Sequence, residues 1–328
     1  MKIIKALQGK KSKIILCFSI FLVLFSLSAC VTRGQVKLIE QEPEKIVEIN
    51  EAGRIPLRDG ELPVTVAAPA VEKSKPAFLQ ETDGGKKAIQ KESRPAAGKN
   101  RKIENKAFVV GEKFTFALQY LGITAGTAVI EIKEAVKLKG RKAYHIVTNT
   151  KSVPLISAFV KVDDIVETFI DYEGLFSLRM IKSLREGNYN RDVILEYDQD
   201  KNEVKEVEKS GEKVYTIADY SQDILSAFFY FRAQNIEVGK EYIIDVYADG
   251  KNNKLKVIVP GKEIIKTPLG TYEAFIVKPL LDFESIFKQE GDVTIWMTTD
   301  ERHIPLLMKS KVFVSSVSAK LIDAVIPK

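Results

Sequence analysis

The 328-residue chain is poor in the residues from which most active sites are built. It has two cysteines, Cys17 and Cys30, both near the N-terminus. The rest of the chain therefore holds no thiol for a disulfide, a Cys-based metal site or a nucleophile. Its two histidines, His145 and His303, have no metal-ligand spacing and are expected to be structural. No G-x-S-x-G elbow places a serine for nucleophilic attack. No phosphate-binding G-x-x-x-x-G-K-[ST] loop and no strand–G-x-G-x-x-G–helix occurs, so nucleotide binding is not expected. Neither a cofactor nor a metal is expected.

What is present begins with five lysines and no acid in residues 1–13. A fourteen-residue, mostly apolar run, Ile14 to Leu27, follows. It falls short of the roughly 20 residues needed to cross a bilayer. A charged start, an apolar centre and small residues before a cut make a secretory signal, here residues 1–29. Leu27-Ser28-Ala29-Cys30 resembles the lipobox of bacterial lipoproteins. That resemblance implies cleavage before Cys30, a diacylglyceryl group on its thiol and acylation of the new amine. Each buried methylene is worth about 0.8 kcal/mol, and two or more chains hold a protein on a membrane. Val31 follows the cysteine in place of Asp, which by the same resemblance favours the outer membrane.

The formal charge of +6 is mostly the signal's. Removing residues 1–29 takes away five lysines and leaves +1. Residues 108–328 alone carry 30 Lys/Arg against 32 Asp/Glu, so nucleic acid is not an expected partner. Lys137, Lys139, Arg141 and Lys142 cluster around Gly140, where a solvated hairpin tip is expected.

Residues 30–107 read as a lipid-anchored tether. Six of the twelve prolines lie there, and Phe78 is its one aromatic residue. Such a composition buries too little apolar surface to offset its chain entropy. Free along its length, it would span roughly 50 Å. The short apolar stretches 45–49 and 62–68 could each add an edge strand.

From Phe108 the pattern turns to period two. Phe114, Phe116, Leu118 and Tyr120 alternate in "EKFTFALQY", and about a dozen short runs follow between Gly, Asn, Asp and Pro turns. This predicts a mainly β domain over 108–328, a curved antiparallel sheet, open barrel or half-barrel. Residues 114–120 and 127–134 are expected to pair across a five-residue loop. One helix is expected at about 221–232, capped by Ser221, with Ile224, Leu225, Phe228 and Phe229 on its apolar face. Its aromatic side would fill the concave side of the sheet. A weaker helical candidate lies at 153–161.

Positions 111–126, 222–232, 270–279 and 295–305 together resemble the bacterial envelope proteins catalogued as domain of unknown function 3108. The likeness covers about 108–323 and rests on the order of the four segments. It implies a secreted or lipid-anchored β-rich domain and carries no assigned reaction. By analogy, a curved sheet with one helix looks like the half-barrel carriers of the periplasm, which hold acyl chains.

The chain's most acidic candidate is Asp163-Asp164 with Glu167. On a strand, Asp163 and Glu167 share one face and Asp164 takes the other. A hydrolase would need all three in one cleft; a mixed polar strand face is the plainer expectation. Asp300 and Arg302 are expected to pair across a turn. Trp296 is expected in the core, and Arg232 suits the helix C-terminus. The leading expectation is a non-enzymatic envelope lipoprotein that binds a lipid or other apolar ligand. Phe116, Leu118, Tyr120, Ile224, Phe228, Phe229 and Trp296 would line its cavity. The alternative is an interaction module docking an envelope protein or peptidoglycan. The membrane, reached through Cys30, is the first expected partner. Cys30→Ser should move the protein from the membrane to the soluble fraction on cell fractionation; unchanged sedimentation with envelopes would remove the lipid anchor.

Overall fold

The computed structural model describes residues 37–39, 46–48, 101–120, 122–248, 250–281, 293–312 and 315–327. The signal, Cys30 and most of the expected tether lie outside the described residues.

Sixteen strands form one sheet. β1 (Lys37–Ile39) and β2 (Ile46–Glu48) are short additions. The first meander runs through β3 (Lys113–Tyr120), β4 (Ile123–Leu138), β5 (Arg141–Ser152) and β6 (Asp163–Asp171). It continues through β7 (Ser177–Glu186), β8 (Tyr189–Asp198), β9 (Glu203–Glu208) and β10 (Gly211–Thr216). The second comprises β11 (Glu241–Ala248), β12 (Lys251–Thr267), β13 (Gly270–Leu281), β14 (Val293–Thr298), β15 (Pro305–Val312) and β16 (Ser315–Pro327). One turn of helix, α1 (Pro154–Ser157), joins β5 to β6; the longer α2 (Ile224–Arg232) joins the two meanders.

The meanders meet where β16 pairs antiparallel with β3, Val317 opposite Tyr120 and Val325 opposite Lys113. The result is a continuous antiparallel path from β10 to β11, curved and unclosed, as the strand pattern predicts. Turn chemistry fixes register along it. Between β4 and β5, Lys139 and Gly140 both take positive φ (49° and 79°), the two-residue turn that suits strand twist. The cations at this tip are engaged: Lys139 with Glu196 (2.8 Å), Arg141 with Asp171 (2.6 Å), and Lys142 over the Tyr172 ring (3.6 Å). The β3–β4 connection is shorter than the expected five residues. Ile123 already pairs with Tyr120, and a bulge between Leu118 and Gln119 absorbs the extra residue.

The two edges approach without sharing a ladder. Tyr247 Oη on β11 donates to Glu206 Oε2 on β9 (2.7 Å), and Asn252 Nδ2 on β12 donates to Thr216 O on β10 (2.7 Å). The segment entering α2 fills the gap. Gln222 donates to Asp245 O and accepts from Tyr247 N–H, both at 2.9 Å, beside β11. That extended stretch is why the helix begins at Ile224, three residues later than expected. The cap is Asp223, not Ser221: Asp223 Oδ1 accepts from Ser226 N–H (2.8 Å). Its other oxygen, Oδ2, accepts from Thr168 Oγ1 (2.6 Å) and Ser177 Oγ (2.7 Å), nailing the helix start to β6 and β7.

The far end of α2 is held by Arg232, which is fully buried with Glu112. It donates from Nη1 to Oε1 (2.7 Å) and from Nη2 to Oε2 (3.2 Å) of that carboxylate. Nη2 also reaches the carbonyls of Ala107 (3.1 Å) and Arg302 (3.0 Å), and the guanidinium lies near the rings of Phe108, Phe114 and Phe229. His303 Nδ1 donates to Arg232 O (2.6 Å). Arg232 thus does more than complement the helix dipole.

Two boundaries differ from the composition-based reading. Arg101–Ala107, assigned to the tether, packs on the domain: Arg101 bonds Gly174 O (2.7 Å) and Leu175 O (3.1 Å) and lies over the Tyr220 and Tyr230 rings. Upstream, β1 pairs parallel with β16 and β2 with β4, so the tether segment touches the sheet twice. The β2 contact falls on the 45–49 stretch expected to offer an edge strand, whereas polar composition hid the packing of Arg101–Ala107, which combines backbone and aromatic-face contacts with burial of Ala107.

Arg232→Met should cost about 3–5 kcal/mol in urea unfolding, the penalty for stranding a buried carboxylate. Adding Glu112→Leu should recover only part, since Ala107 O and Arg302 O still lack their donor.

Candidate functional site

The concave face is not uniformly apolar. On β5, Tyr144 and Ile146 point into the core shared with α2. Strand alternation carries Thr148, Thr150 and Ser152 to the same face, all buried. On β6, Val166 and Ile170 share that face with Asp164; on β7, Met180 and Leu184 share it with Lys182 and Glu186. The register places Thr150 beside Asp164, Thr148 beside Val166, and Val166 beside Lys182. Val162 bridges to Glu186. The ends of three adjacent strands thus form a buried polar wall of Thr148, Thr150, Ser152, Asp164, Lys182 and Glu186.

The wall is incompletely satisfied. Asp164 Oδ1 accepts from Arg185 N–H (2.6 Å). Thr148 Oγ1 and Glu186 Oε1 are buried with no hydrogen-bond partner. Such groups are costly to leave unmade. Burial, then the adjacent Asp164 carboxylate, push the Glu186 carboxyl up to about 7. Farther along, Arg191 pairs with Glu208 (2.6 Å), closing the polar stretch towards β9. Elsewhere the same core is apolar: Leu118, Val277, Ile295 and Met308 belong to it.

The residues singled out from sequence distribute as follows. Phe116, Leu118 and Phe229 are buried in the main core, with Phe228 at its margin and Ile224 half-buried against it. Tyr120 is 42% exposed at the end of β3, outside that group. Alternation put it on the same side, but the bulge after Leu118 and the strand end free it. Trp296 is buried, its indole N–H donating to Glu263 Oε2 (2.8 Å), with Lys309 Nζ 5.3 Å from the ring centroid. Asp163, Asp164 and Glu167 do not converge. Asp163 pairs with Lys151 (3.2 Å), Glu167 with His145 Nε2 (2.6 Å), and Asp164 faces the interior. A hydrolytic cleft built from those three is thereby contradicted. His145 stacks on Phe169 at 4.5 Å, and His303 serves the Arg232 carbonyl, both structural places. Arg302 meets Asp300 through its backbone N–H (3.2 Å), while its side chain reaches Pro327 O (3.4 Å). The expected side-chain pair gives way because the turn itself uses the carboxylate.

Sequence reasoning missed Glu186. The signal was there: Asp164 and Glu186 flank the β6–β7 hairpin symmetrically, each in phase with inward apolar residues. Among the described residues, no group of three or more His, Cys, Asp or Glu is placed to hold a metal. No described helix is long and apolar enough to cross a membrane.

The family model for proteins of unknown function, DUF3108, matches residues 115–322. The chain belongs to the DUF3108 family. No curated protein matches it. A solved structure from Brucella abortus, a β-barrel-like protein of the domain of unknown function DUF1849, has 11% identity and a TM-score of 0.46. It covers 67% of this chain and 99% of its own. A protein described as exported, with a YmcC-like fold, from Bacteroides fragilis has 11% identity, a TM-score of 0.28, and covers 69% and 99%. One described as a lipoprotein, from Parabacteroides distasonis, has 10% identity, a TM-score of 0.27, and covers 69% and 99%.

For Glu186, the folded state binds more protons than the unfolded chain between the ordinary carboxyl value of 4.5 and about 7. Its contribution is fully present below pH 4.5 and is lost as pH rises through 7. Glu186→Gln should therefore flatten the pH dependence of the unfolding midpoint across that window and exceed the parent in stability at pH 8. A variant that tracks the parent would place this carboxyl in an ordinary solvated state.

Proposed function

We propose that this chain is a non-enzymatic lipoprotein of the bacterial envelope that binds an amphipathic lipid within its curved sheet. The observation that carries the reading is the buried polar wall with two unmatched atoms, set into a concave face that also holds a large apolar core. An apolar ligand alone would be served by Leu118, Ile295 and their neighbours and would leave Thr148 Oγ1 and Glu186 Oε1 unmatched. A ligand with a polar head and an acyl tail supplies both halves. Its head would lie against Thr148, Thr150, Lys182 and Glu186, its tail against the side holding Phe116 and Leu118. Localisation follows from the lipobox at 27–30, with the outer membrane favoured by Val31 and the domain facing the periplasm. Within this reading α2 is a fixed plug: Leu225 and Phe229 are fully buried, and both helix ends are tied by charged groups.

The test is native mass spectrometry of the mature chain purified from membranes in mild detergent. A retained lipid, weakened several-fold by Thr148→Val with Lys182→Met while the fold persists, supports the reading. An empty protein that takes up no fluorescent lysophospholipid overturns it.

A further inference from the structure

The end of the sheet that carries the polar wall also carries a group of outward apolar side chains. Phe159 is 81% exposed, Leu155 73%, Ile123 64%, Tyr120 42% and Val160 36%. They come from two connections, the β3–β4 tip and the β5–β6 loop containing α1. Val153 N–H donates to Ala125 O (3.2 Å), which locks the two together.

This loop is built, not slack. Ser157 Oγ donates to Ser152 O (2.9 Å), Val162 N–H to Ser152 Oγ (2.9 Å), and Gly187 N–H to Lys161 O (2.7 Å). Pro154 starts α1 at the position where its missing N–H costs nothing. The base is thus fixed, yet no residue of α1 is fully buried. Core formation does not explain Leu155 and Phe159, and exposed apolar side chains grouped on two connections that are hydrogen-bonded together mark an interaction site.

Charge selects the occupant. Residues 120–130 carry no charged side chain, and residues 152–162 carry one, Lys161. The next acid along the chain, Asp163, is held by Lys151. Two apolar segments whose one charged side chain is the cation Lys161, with no acid of their own, match the anionic headgroups and acyl boundary of a bilayer. Chain length agrees. β1 seats Lys37 opposite Val325 on β16, eight residues from Val317, the partner of Tyr120. That is about 27 Å of strand. The seven residues from Cys30 to Lys37 reach up to about 25 Å, which brings a lipid on Cys30 close to the end of the sheet that carries these segments.

We propose that the lip formed by Ile123, Leu155, Phe159 and Val160 inserts into the lipid bilayer surface. The inference rests on the envelope location proposed above but not on the bound ligand, so vesicle binding and lipid retention fail separately. The test uses the soluble Cys30→Ser chain and vesicles of phosphatidylethanolamine and phosphatidylglycerol. Co-sedimentation should fall at least about tenfold on Leu155→Ser with Phe159→Ser, the effect of removing two large side chains from an apolar phase. The unfolding curve should not move, since both residues are exposed. Phe159→Trp should show a blue-shifted emission on adding vesicles. Equal binding by the double variant, no binding by the parent, or a homodimer that the double variant dissolves would each overturn the proposal, the last by making a second copy the occupant.

Discussion

The buried pair of Arg232 and Glu112 is the constraint on which the remaining structure depends. Two charges taken out of water are stable only when their hydrogen bonds are nearly all made. Meeting that demand gathers four separate parts of the chain: the C-terminus of α2, the entry to β3, the segment at Ala107 and the turn at Arg302–His303. Ala107 and Glu112 belong to one stretch, but that stretch, the helix end and the turn are far apart in sequence. The pair therefore acts as a positional clamp, fixing where the helix ends relative to both meanders. An apolar contact of equal size would tolerate sliding; a bidentate fork with two further carbonyls does not.

With α2 fixed at one end by Arg232 and at the other by Asp223, the curvature of the sheet follows. A helix of nine residues spans about 13 Å and presents Leu225, Phe228, Phe229 and Phe231 to the core. The strands must wrap around that volume to bury it. Wrapping brings β9 and β10 up to β11 and β12, where side chains and the Gln222 bridge take the place of a ladder. Leaving the sheet unclosed retains a seam of lower cohesion than any strand pair, and the two edges stay independent meanders joined through β16 and β3.

The fold class was legible because period-two alternation is strong wherever one strand face is buried. Phe114, Phe116 and Leu118 announced β3, and the apolar face at 224–229 announced the helix. Legibility failed where alternation was weak. β9 and β10, "EVKEVE" and "GEKVYT", escaped notice because these two strands at the end of the sheet, the edge strand and its neighbour, carry Glu and Lys in place of a clear apolar alternation. The helix start was misread because Ser221 is a good cap in isolation, whereas the backbone at Gln222 is already committed to β11. The polar wall was harder still. Thr148, Asp164, Lys182 and Glu186 are each ordinary strand residues, and only the register of β5, β6 and β7 brings them onto one face. Adjacency across strands is a long-range property that no local window contains.

The position of that wall has a physical consequence for how the domain meets its surroundings. Polar groups buried at the end of a sheet cost stability unless something satisfies them, and here they sit directly behind the connections that carry Leu155 and Phe159. Those connections share their base with the wall: Ser152 is at once the last polar residue of β5 and the hydrogen-bond anchor of the loop. The base of the lip is therefore linked through Ser152 and Val162, and the Val162–Glu186 bridge, to the carboxyl pair. The lip and the wall thus share a single hydrogen-bonded framework, set apart from the Arg232 clamp at the far end of α2.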